Sequence, residues 1–249
     1  MLGGLLKGDT MLELLKKIVK TGRVTEPYDG GMVPPRFRGE VTKAAGLCQQ
    51  CQSCCKACPT GAIRLTDGQL LIDNRACIFC GACVAACEHA VLDHSDEYRL
   101  AELTTRLSEK IKATLKRSLH IRHVDAGSCN ACDWEMTALN NPVYDLQQYG
   151  IDFVASPRHA DMLMVTGVVT RNLEQALTMT YEAVPAPKLV MAVGACAASG
   201  KVFGSSYAIR GAVGTIVPVD IYVPGCPPRP AALIYGLLLA LDRLGGKDK

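Results

Sequence analysis

Two stretches decide how this chain folds. They are Cys48-Gln49-Gln50-Cys51-Gln52-Ser53-Cys54-Cys55-Lys56-Ala57-Cys58-Pro59 and Cys77-Ile78-Phe79-Cys80-Gly81-Ala82-Cys83-Val84-Ala85-Ala86-Cys87. Each reads Cys-x2-Cys-x2-Cys-x3-Cys, so one unusual thiol spacing occurs twice in close succession. A third set is dispersed as Cys129-x2-Cys132, then Cys196, then Cys226, and these three sets take up all but one of the 13 cysteines. Disulfide frameworks belong to short secreted chains, and the opening residues do not read as a secretory leader. Zinc favours two separated Cys-x2-4-Cys pairs, because its tetrahedron is built from two chelating knuckles. Tandem triplets with a remote fourth thiol fit an iron–sulfur cubane instead.

The doubled run has the spacing of the bacterial two-cluster ferredoxins, in which the fourth cysteine of each run ligates the other cluster. That pattern assigns Cys48, Cys51, Cys54 and Cys87 to one 4Fe-4S cluster. It assigns Cys77, Cys80, Cys83 and Cys58 to a second. The thirteenth cysteine, Cys55, offers the alternative reading Cys51-x3-Cys55-x2-Cys58; Cys54 keeps the regular spacing on both sides and is preferred, leaving Cys55 a spare thiol. His89 and His94 flank the second run, yet nothing in it calls for histidine replacing two cysteines on one iron.

The remaining composition is that of a globular chain. Of 249 residues, 49% are hydrophobic and 20% charged, ample for a core, and with one Trp and four Phe that core must be mainly aliphatic. A net charge of +3 is too small for a concentrated nucleic-acid-binding face. The uncharged run Ala231–Leu241 is far shorter than the roughly 20 residues needed to span a bilayer. The segment Met11–Lys20 is short, amphipathic and lysine-bearing, suited to lying on a membrane or a partner without anchoring the chain by itself.

Along the chain, residues 1–40 read as an extended docking arm, with a Gly- and Pro-rich run from Gly22 to Pro35. Residues 41–96 form the two-cluster domain, of α+β class, in which metal binding supplies folding energy. In residues 97–118, Leu100, Leu103, Leu107, Ile111 and Leu115 recur at spacings of three and four, predicting a connecting amphipathic helix. From 119 to 249, apolar strands alternate with helices. Strands are predicted at 119–124, 161–166, 189–193 and 217–223, with a weaker one at 151–155, and helices at 131–139, 173–182 and 231–243. That alternation specifies an α/β, flavodoxin-like domain with a mostly parallel sheet.

Ligands of open α/β sheets bind beyond the carboxyl ends of the strands. Cys129 and Cys132 follow the first predicted strand, Cys196 follows the strand at 189–193, and Cys226 follows the strand ending at Val223. The four thiols are therefore expected from loops at one edge of the sheet, with Gly127, Gly194 and Gly225 beside them allowing tight turns. This placement predicts a third 4Fe-4S cluster on Cys129, Cys132, Cys196 and Cys226. A structural zinc or buried free thiols would be the plainer alternative.

The segments Gly127–Glu135, Ser156–Asp161, Thr166–Thr170, Gly194-Ala195-Cys196 and Pro224–Pro228 resemble the proximal-cluster motifs of small subunits of membrane-bound, energy-converting NiFe-hydrogenases. The cluster N2 subunit of respiratory complex I belongs to the same family, but its first two cysteines are adjacent, whereas Cys129 and Cys132 have the hydrogenase separation. The N-terminal part, including Ile18–Gly22, Phe37–Glu40 and Cys77–Gly81, is similar to the ferredoxin-like subunit of formate hydrogenlyase and to the dicluster subunit of complex I. The chain thus resembles two such subunits fused. It departs from the pattern at Cys87-Glu88, where a proline usually follows the last cysteine.

The resemblance implies a relay of three 4Fe-4S clusters to or from a NiFe centre held by a partner large subunit, where protons and dihydrogen interconvert. It implies membrane-arm subunits as further partners. It also implies an upstream electron donor such as formate dehydrogenase or its ferredoxin-like subunit, and a peripheral position on the cytoplasmic side of the inner membrane. No catalytic residue is expected in this chain, although Glu135 has a proton-handling or interface role in that reading; the plain alternative is a surface glutamate favoured by a helix N-terminus. Arg158 and His159, after the turn-forming Pro157, read as structural or interface residues. Two other functions fit the same cysteines: a complex I-like or nickel-free module delivering electrons to a quinone, and a stand-alone ferredoxin-type carrier. No Gly-x-Gly-x-x-Gly follows a strand, so nicotinamide binding is not expected.

Overall fold

Short, nearly continuous apolar runs at 162–166 and 189–193 commit the C-terminal part to a sheet whose central strands are covered on both faces. In a computed structural model, which describes residues 8–28, 33–44, 48–104 and 118–242, that sheet has six strands. The strands are β5 (Glu102–Leu103), β6 (Leu119–Asp125), β7 (Ile151–Phe153), β8 (Met162–Thr166), β10 (Leu189–Val193) and β12 (Ile221–Val223), in the order β5-β12-β10-β8-β6-β7. All neighbours are parallel except β5, which pairs antiparallel with β12 at the edge. The pairings Ile121 with Met162 and Met191 with Met164 align the strands so that their carboxyl ends lie along one border. A separate antiparallel ribbon joins β9 (Val169–Thr170) to β11 (Ile209–Gly211).

The two faces separate by the period-two rule of strands. Leu119, Ile121, Met162, Met164, Leu189, Met191, Ile221 and Val223 form one core layer with α4 (Ala131–Ala138) and α7 (Pro230–Ala240). Leu163, Val165, Val190 and Ala192 form the other with α5 (Arg171–Ala183) and α6 (Gly194–Ser199). Helix α7 is apolar all round because it is almost wholly buried, including Leu233, Ile234, Leu237 and Leu238. Each of these contributes about 1.5–3 kcal/mol by leaving water. No helix among the described residues is long and apolar enough to cross a membrane.

The cysteine-rich part is built from short elements: β1 (Val41–Lys43), α2 (Ser53–Ala57), β2 (Ile63–Thr66), β3 (Gln69–Ile72), α3 (Ala82–Ala85) and β4 (Leu92–His94). Strand β1 pairs antiparallel with β4, closing the unit from before the first run to after the second. Strands β2 and β3 form a hairpin across Asp67-Gly68, both at positive φ, the conformation a two-residue hairpin turn demands. The apolar core is small, essentially Val41, Ile63, Leu70 and Leu92 with the thiols of Cys54 and Cys83.

Several expectations change. The predicted 97–118 helix does not begin where expected: Glu102–Leu103 are β5, and Thr104 N–H and Oγ1 both donate to the Asp220 carbonyl. Pairing with the sheet edge takes those backbone groups from a helix; residues 105–117 of that prediction lie outside the described part. The strand predicted at 217–223 forms only at Ile221–Val223, since Pro218 has no N–H for a ladder. The described parts of the 1–40 arm are helical at α1 (Gly8–Thr21) and then fold back on this chain. Glu26 N–H donates to Val143 O, the Tyr28 ring meets Tyr149 edge-on, and Phe37 meets Tyr98 edge-on. Helix α1 keeps Leu12, Leu15, Ile18 and Val19 exposed.

Candidate metal centres

The same local device presents a thiol in each of the three sets. Cys51, Cys80 and Cys129 are each followed by a left-handed residue, Gln52 (φ 61°), Gly81 (φ 78°) and Asn130 (φ 67°), which opens a helix carrying the next cysteine. A non-glycine residue at positive φ is uncommon, so its repetition beside metal-type cysteines marks a built feature. In the two runs the residue before the second cysteine is also left-handed, at Gln50 and Phe79. The spacing of the cysteines is readable from the sequence; these conformations, at glutamine and phenylalanine, have no sequence signal.

The fold brings the dispersed set together. Cys129 lies in the loop after β6, Cys132 in the first turn of α4, Cys196 in the first turn of α6, and Cys226 in the loop after β12. Two of the four therefore come from helix starts rather than from loops as expected, but all lie at the carboxyl border of the sheet. Ala195 N–H donates to Gly225 O at 2.8 Å, tying the Cys196 helix to the Cys226 loop. Gly194 lies so close to Cys132 that a Cβ there would stand 2.7 Å from Sγ. Burial, then the neighbouring Cys196, Cys226 and Cys129, push the Cys132 thiol up to about 12, and burial with Cys226 and Cys129 pushes Cys196 up to about 11.

A polar cluster braces this site from below. Asp125 Oδ1 accepts from the amides of Gly127 and Ser128 at 2.8 and 2.7 Å, shaping the loop to Cys129. Asp133, beside Cys132, accepts from Ser128 Oγ and from Thr166 Oγ1, and His123 Nε2 lies 3.0 Å from its Oδ1. Burial lowers the His123 pKa and the Asp133 carboxylate opposes that shift only in part.

In the two runs the side chains cross over. Cys77 is pushed up to about 11, by burial first and then by the proximity of Cys83, Cys58 and Cys80, so the fourth thiol of the first run stands with the triplet of the second. Cys48, Cys51, Cys54 and Cys87 line one cavity, the converse exchange, and Cys55 lines it too. Three sulfurs accept backbone amides: Cys58 from Ala62 at 3.2 Å, Cys77 from Phe79 at 3.3 Å and Cys87 from Val91 at 3.3 Å. Burial pulls Cys58 upward, but the Thr60 hydroxyl and the amides of Ile63, Ala62 and Thr60 outweigh it and leave the thiol lowered.

Among the described residues no three His, Cys, Asp or Glu side chains converge closely enough to hold a single ion. Four thiols gathered at one place, as the mutual influence of Cys129, Cys132, Cys196 and Cys226 shows, are the donor set of an iron–sulfur group. The raised thiol pKa values fit as well: unpaired, these groups resist ionising, and a cationic metal core supplies the charge that ionises them.

Of the other predicted residues, Glu135 is half-buried on α4, its carboxyl raised by burial and only partly offset by Arg229, and Trp134 next to it is strongly exposed. Arg158 and His159 form a 3-10 turn capped by Ser156. His94 Nδ1 meets Gly39 O at 3.1 Å. The runs adjoin the dispersed set through a cavity lined by Ile78 and Phe79 on one side and by Cys226 and Pro227 on the other.

Residues 129–240 match the family described as NADH ubiquinone oxidoreductase, 20 Kd subunit, and residues 47–92 match the 4Fe-4S dicluster domain. The chain is 46% identical over 142 residues to the "Probable membrane-bound hydrogenase subunit mbhJ" of Pyrococcus furiosus, covering 56% of this chain and 85% of that protein. It is 43% identical over 148 residues to formate hydrogenlyase subunit 7 of Escherichia coli, covering 59% of this chain and 56% of the other. It is 46% identical over 114 residues to a subunit of the NADH-quinone oxidoreductase of Geotalea daltonii, covering 46% of this chain and 66% of the other.

Proposed function

Because the chain belongs to the family of the NADH ubiquinone oxidoreductase 20 Kd subunit and carries a 4Fe-4S dicluster domain ahead of that part, we propose that it is the electron-relaying subunit of a membrane-bound hydrogenase complex. Three 4Fe-4S clusters bound at the three thiol sets would supply one-electron storage with little rearrangement. Cys48, Cys51, Cys54 and Cys87 hold one, Cys77, Cys80, Cys83 and Cys58 the next, and Cys129, Cys132, Cys196 and Cys226 the third. The observation that carries this reading is the shared cavity: Ile78 and Phe79 of the second run face Cys226 and Pro227 of the dispersed set. That adjacency supports a relay with the Cys48 set outermost and the Cys129 set terminal.

The chain's own residues position and insulate. Arg38 Nη1 donates to Cys80 O at 2.5 Å and holds the second run against the junction. Phe37, Phe79, Tyr98 and the prolines after Cys226 line the gap together with the charged Arg38, Glu97 and Arg229, so both packing and charge meet between the two sites. The terminal site faces outward beside exposed Trp134 and half-buried Glu135, a surface for the NiFe-bearing large subunit, where proton reduction or hydrogen oxidation takes place. Membrane-arm subunits complete the assembly, peripheral on the cytoplasmic side of the inner membrane, and a formate dehydrogenase or its ferredoxin-like subunit supplies electrons. Glu135, whose carboxyl pKa is raised by burial, stands at that interface, where a proton-handling role fits it.

The test is to isolate the tagged complex without air and measure nickel and iron per chain. About one nickel with about 13 iron is expected, about 12 from three four-iron clusters and one from the NiFe centre of the partner. Iron without nickel would move the terminal acceptor to a quinone, the complex I-like reading. An iron-bearing monomer on native mass measurement would leave a stand-alone carrier. Within the intact complex, Cys196→Ser should abolish hydrogen turnover while the first two clusters remain reducible, and retained turnover would refute the linear relay.

A further inference from the structure

Two arginines line the junction cavity, and they are held in different ways. Arg38 is spent on the Cys80 carbonyl. The Arg229 guanidinium is packed instead against aromatic rings, 4.8 Å from the Tyr98 centroid and 5.5 Å from that of Phe37. Its Nη1 is buried with no hydrogen-bond partner. Among the described residues no carboxylate stands within ion-pairing distance of it. Glu97 lines the same cavity but is committed to Arg99, which grips both its oxygens at 2.8 Å. Glu135 feels the charge of Arg229 but makes no direct ion pair with it, so its carboxylate offsets that charge only in part.

A buried cation normally takes a carboxylate partner, whose charge cancels its field. Aromatic faces stabilise a cation through their quadrupole and add no negative charge. The positive charge of Arg229 therefore acts across the cavity it shares with Cys226, where partial burial makes a unit charge count for more than in bulk water.

We infer that Arg229 is a positioning charge that raises the electron affinity of the Cys129, Cys132, Cys196 and Cys226 site relative to the second run's site. The inference rests on the proposed three-cluster relay. The step it biases is transfer of one electron between those two sites; no bond forms or breaks, and the electron originates with the upstream donor protein. Reduction adds one negative charge to the terminal site, and a cation alongside with no ion-paired carboxylate favours that state. Arg38, on the opposite wall, does the same for the Cys80 side, so removing Arg229 alone tilts the balance back toward the second run.

The experiment is an anaerobic redox titration of the intact complex followed by electron paramagnetic resonance, with iron content measured in parallel. Arg229→Met should weaken electron binding at the terminal site about tenfold, a fall of about 59 mV for a one-electron couple, at unchanged iron. Arg229→Lys should keep most of the wild-type potential. An unchanged midpoint in iron-replete Arg229→Met overturns the inference. Should Arg229→Met lose iron, Arg229→Gln reads the same quantity. Iron loss in both neutral variants with retention in Arg229→Lys would make the charge structural and equally overturn it. Absence of a third signal in the wild-type complex would instead refute the three-cluster reading on which the inference rests.

Discussion

Replacing Gly194 with alanine separates the stability of the sheet from the integrity of the terminal site. Gly194 joins β10 to α6 at φ +85°, where an L side chain is strained by about 1–3 kcal/mol. The added Cβ would stand 2.7 Å from Cys132 Sγ and 3.4 Å from Gly225 O. Carbon and heavier atoms settle near ~3.5–4.0 Å, so the sulfur must retreat by about 0.8 Å or more. Metal–ligand distances tolerate only about ±0.2 Å, several times less than this retreat. A domain stable by roughly 5–15 kcal/mol survives the backbone strain, with its melting temperature lowered by about 2–12 °C, at about 2–4 °C per kcal/mol for a chain of this size. Gly194→Ala should therefore fold and lose about a third of the ~12 iron atoms expected in the three clusters, those of the terminal site. Gly204→Ala is the control: its φ of +65° carries similar strain, but nothing lies within 4 Å of its Cβ, so iron should be complete. The readouts are iron per chain and a melting curve on the anaerobically purified complex. Full iron in Gly194→Ala, or equal iron loss in both variants, refutes the packing argument.

Cys58→Ser should remove the cluster held by the second run although Cys58 belongs to the first, and Cys55→Ser should keep full iron; loss in Cys55→Ser with retention in Cys54→Ser would reverse that assignment. The lowered pKa of His123 gives stability that is complete above the ordinary 6.5 and lost as pH falls through the lower folded value, since the unfolded chain takes the proton first. Melting temperatures measured from pH 8 to 5 should therefore fall on the acid side, and His123→Gln should flatten the profile; an equally steep profile in the variant assigns the effect elsewhere. Leu177 is fully buried on the face away from the junction, so Leu177→Ala should cost about 2–5 kcal/mol in thermal or denaturant unfolding without changing the iron content.

The sequence announces the sheet where side chains repeat and is silent where tertiary contacts choose the conformation. Strands β8 and β10 bury both faces, and their continuous apolar runs predict them nearly residue for residue, while β6 buries only Leu119 and Ile121 and is read from their alternation with polar residues. Glu102–Leu103 carry a helical periodicity shared with Leu107 and Ile111, but the open edge of β12 captures their backbone instead. Cys196 reads as a loop residue because Gly194 opens its segment, yet Ala195, Ala197 and Ala198 are buried in a short helix that packs on the sheet. The thiol sets are legible because metal chemistry fixes spacing along the chain. The role of Arg229 is not, because it depends on Phe37 and Tyr98 arriving from distant segments.

The contacts that hold the cysteine-rich part against the sheet explain why one polypeptide carries both. Arg75 stacks 4.2 Å from the Tyr222 ring and pairs with Glu102 at 2.7 Å, while Lys201 meets Asp73 at 3.6 Å. These ion pairs are partly exposed, and such pairs contribute about 0–1 kcal/mol each. Two separate chains would forfeit about 4–15 kcal/mol of translational and rotational freedom on associating, more than this set of contacts offsets. Joined in one chain, the two parts meet at an effective concentration in the ~mM range, where weak polar contacts suffice to fix orientation. The junction can then be composed for electron transfer rather than for adhesion. That leaves room for a cavity wall in which a cation such as Arg229 has aromatic neighbours and no ion-paired carboxylate.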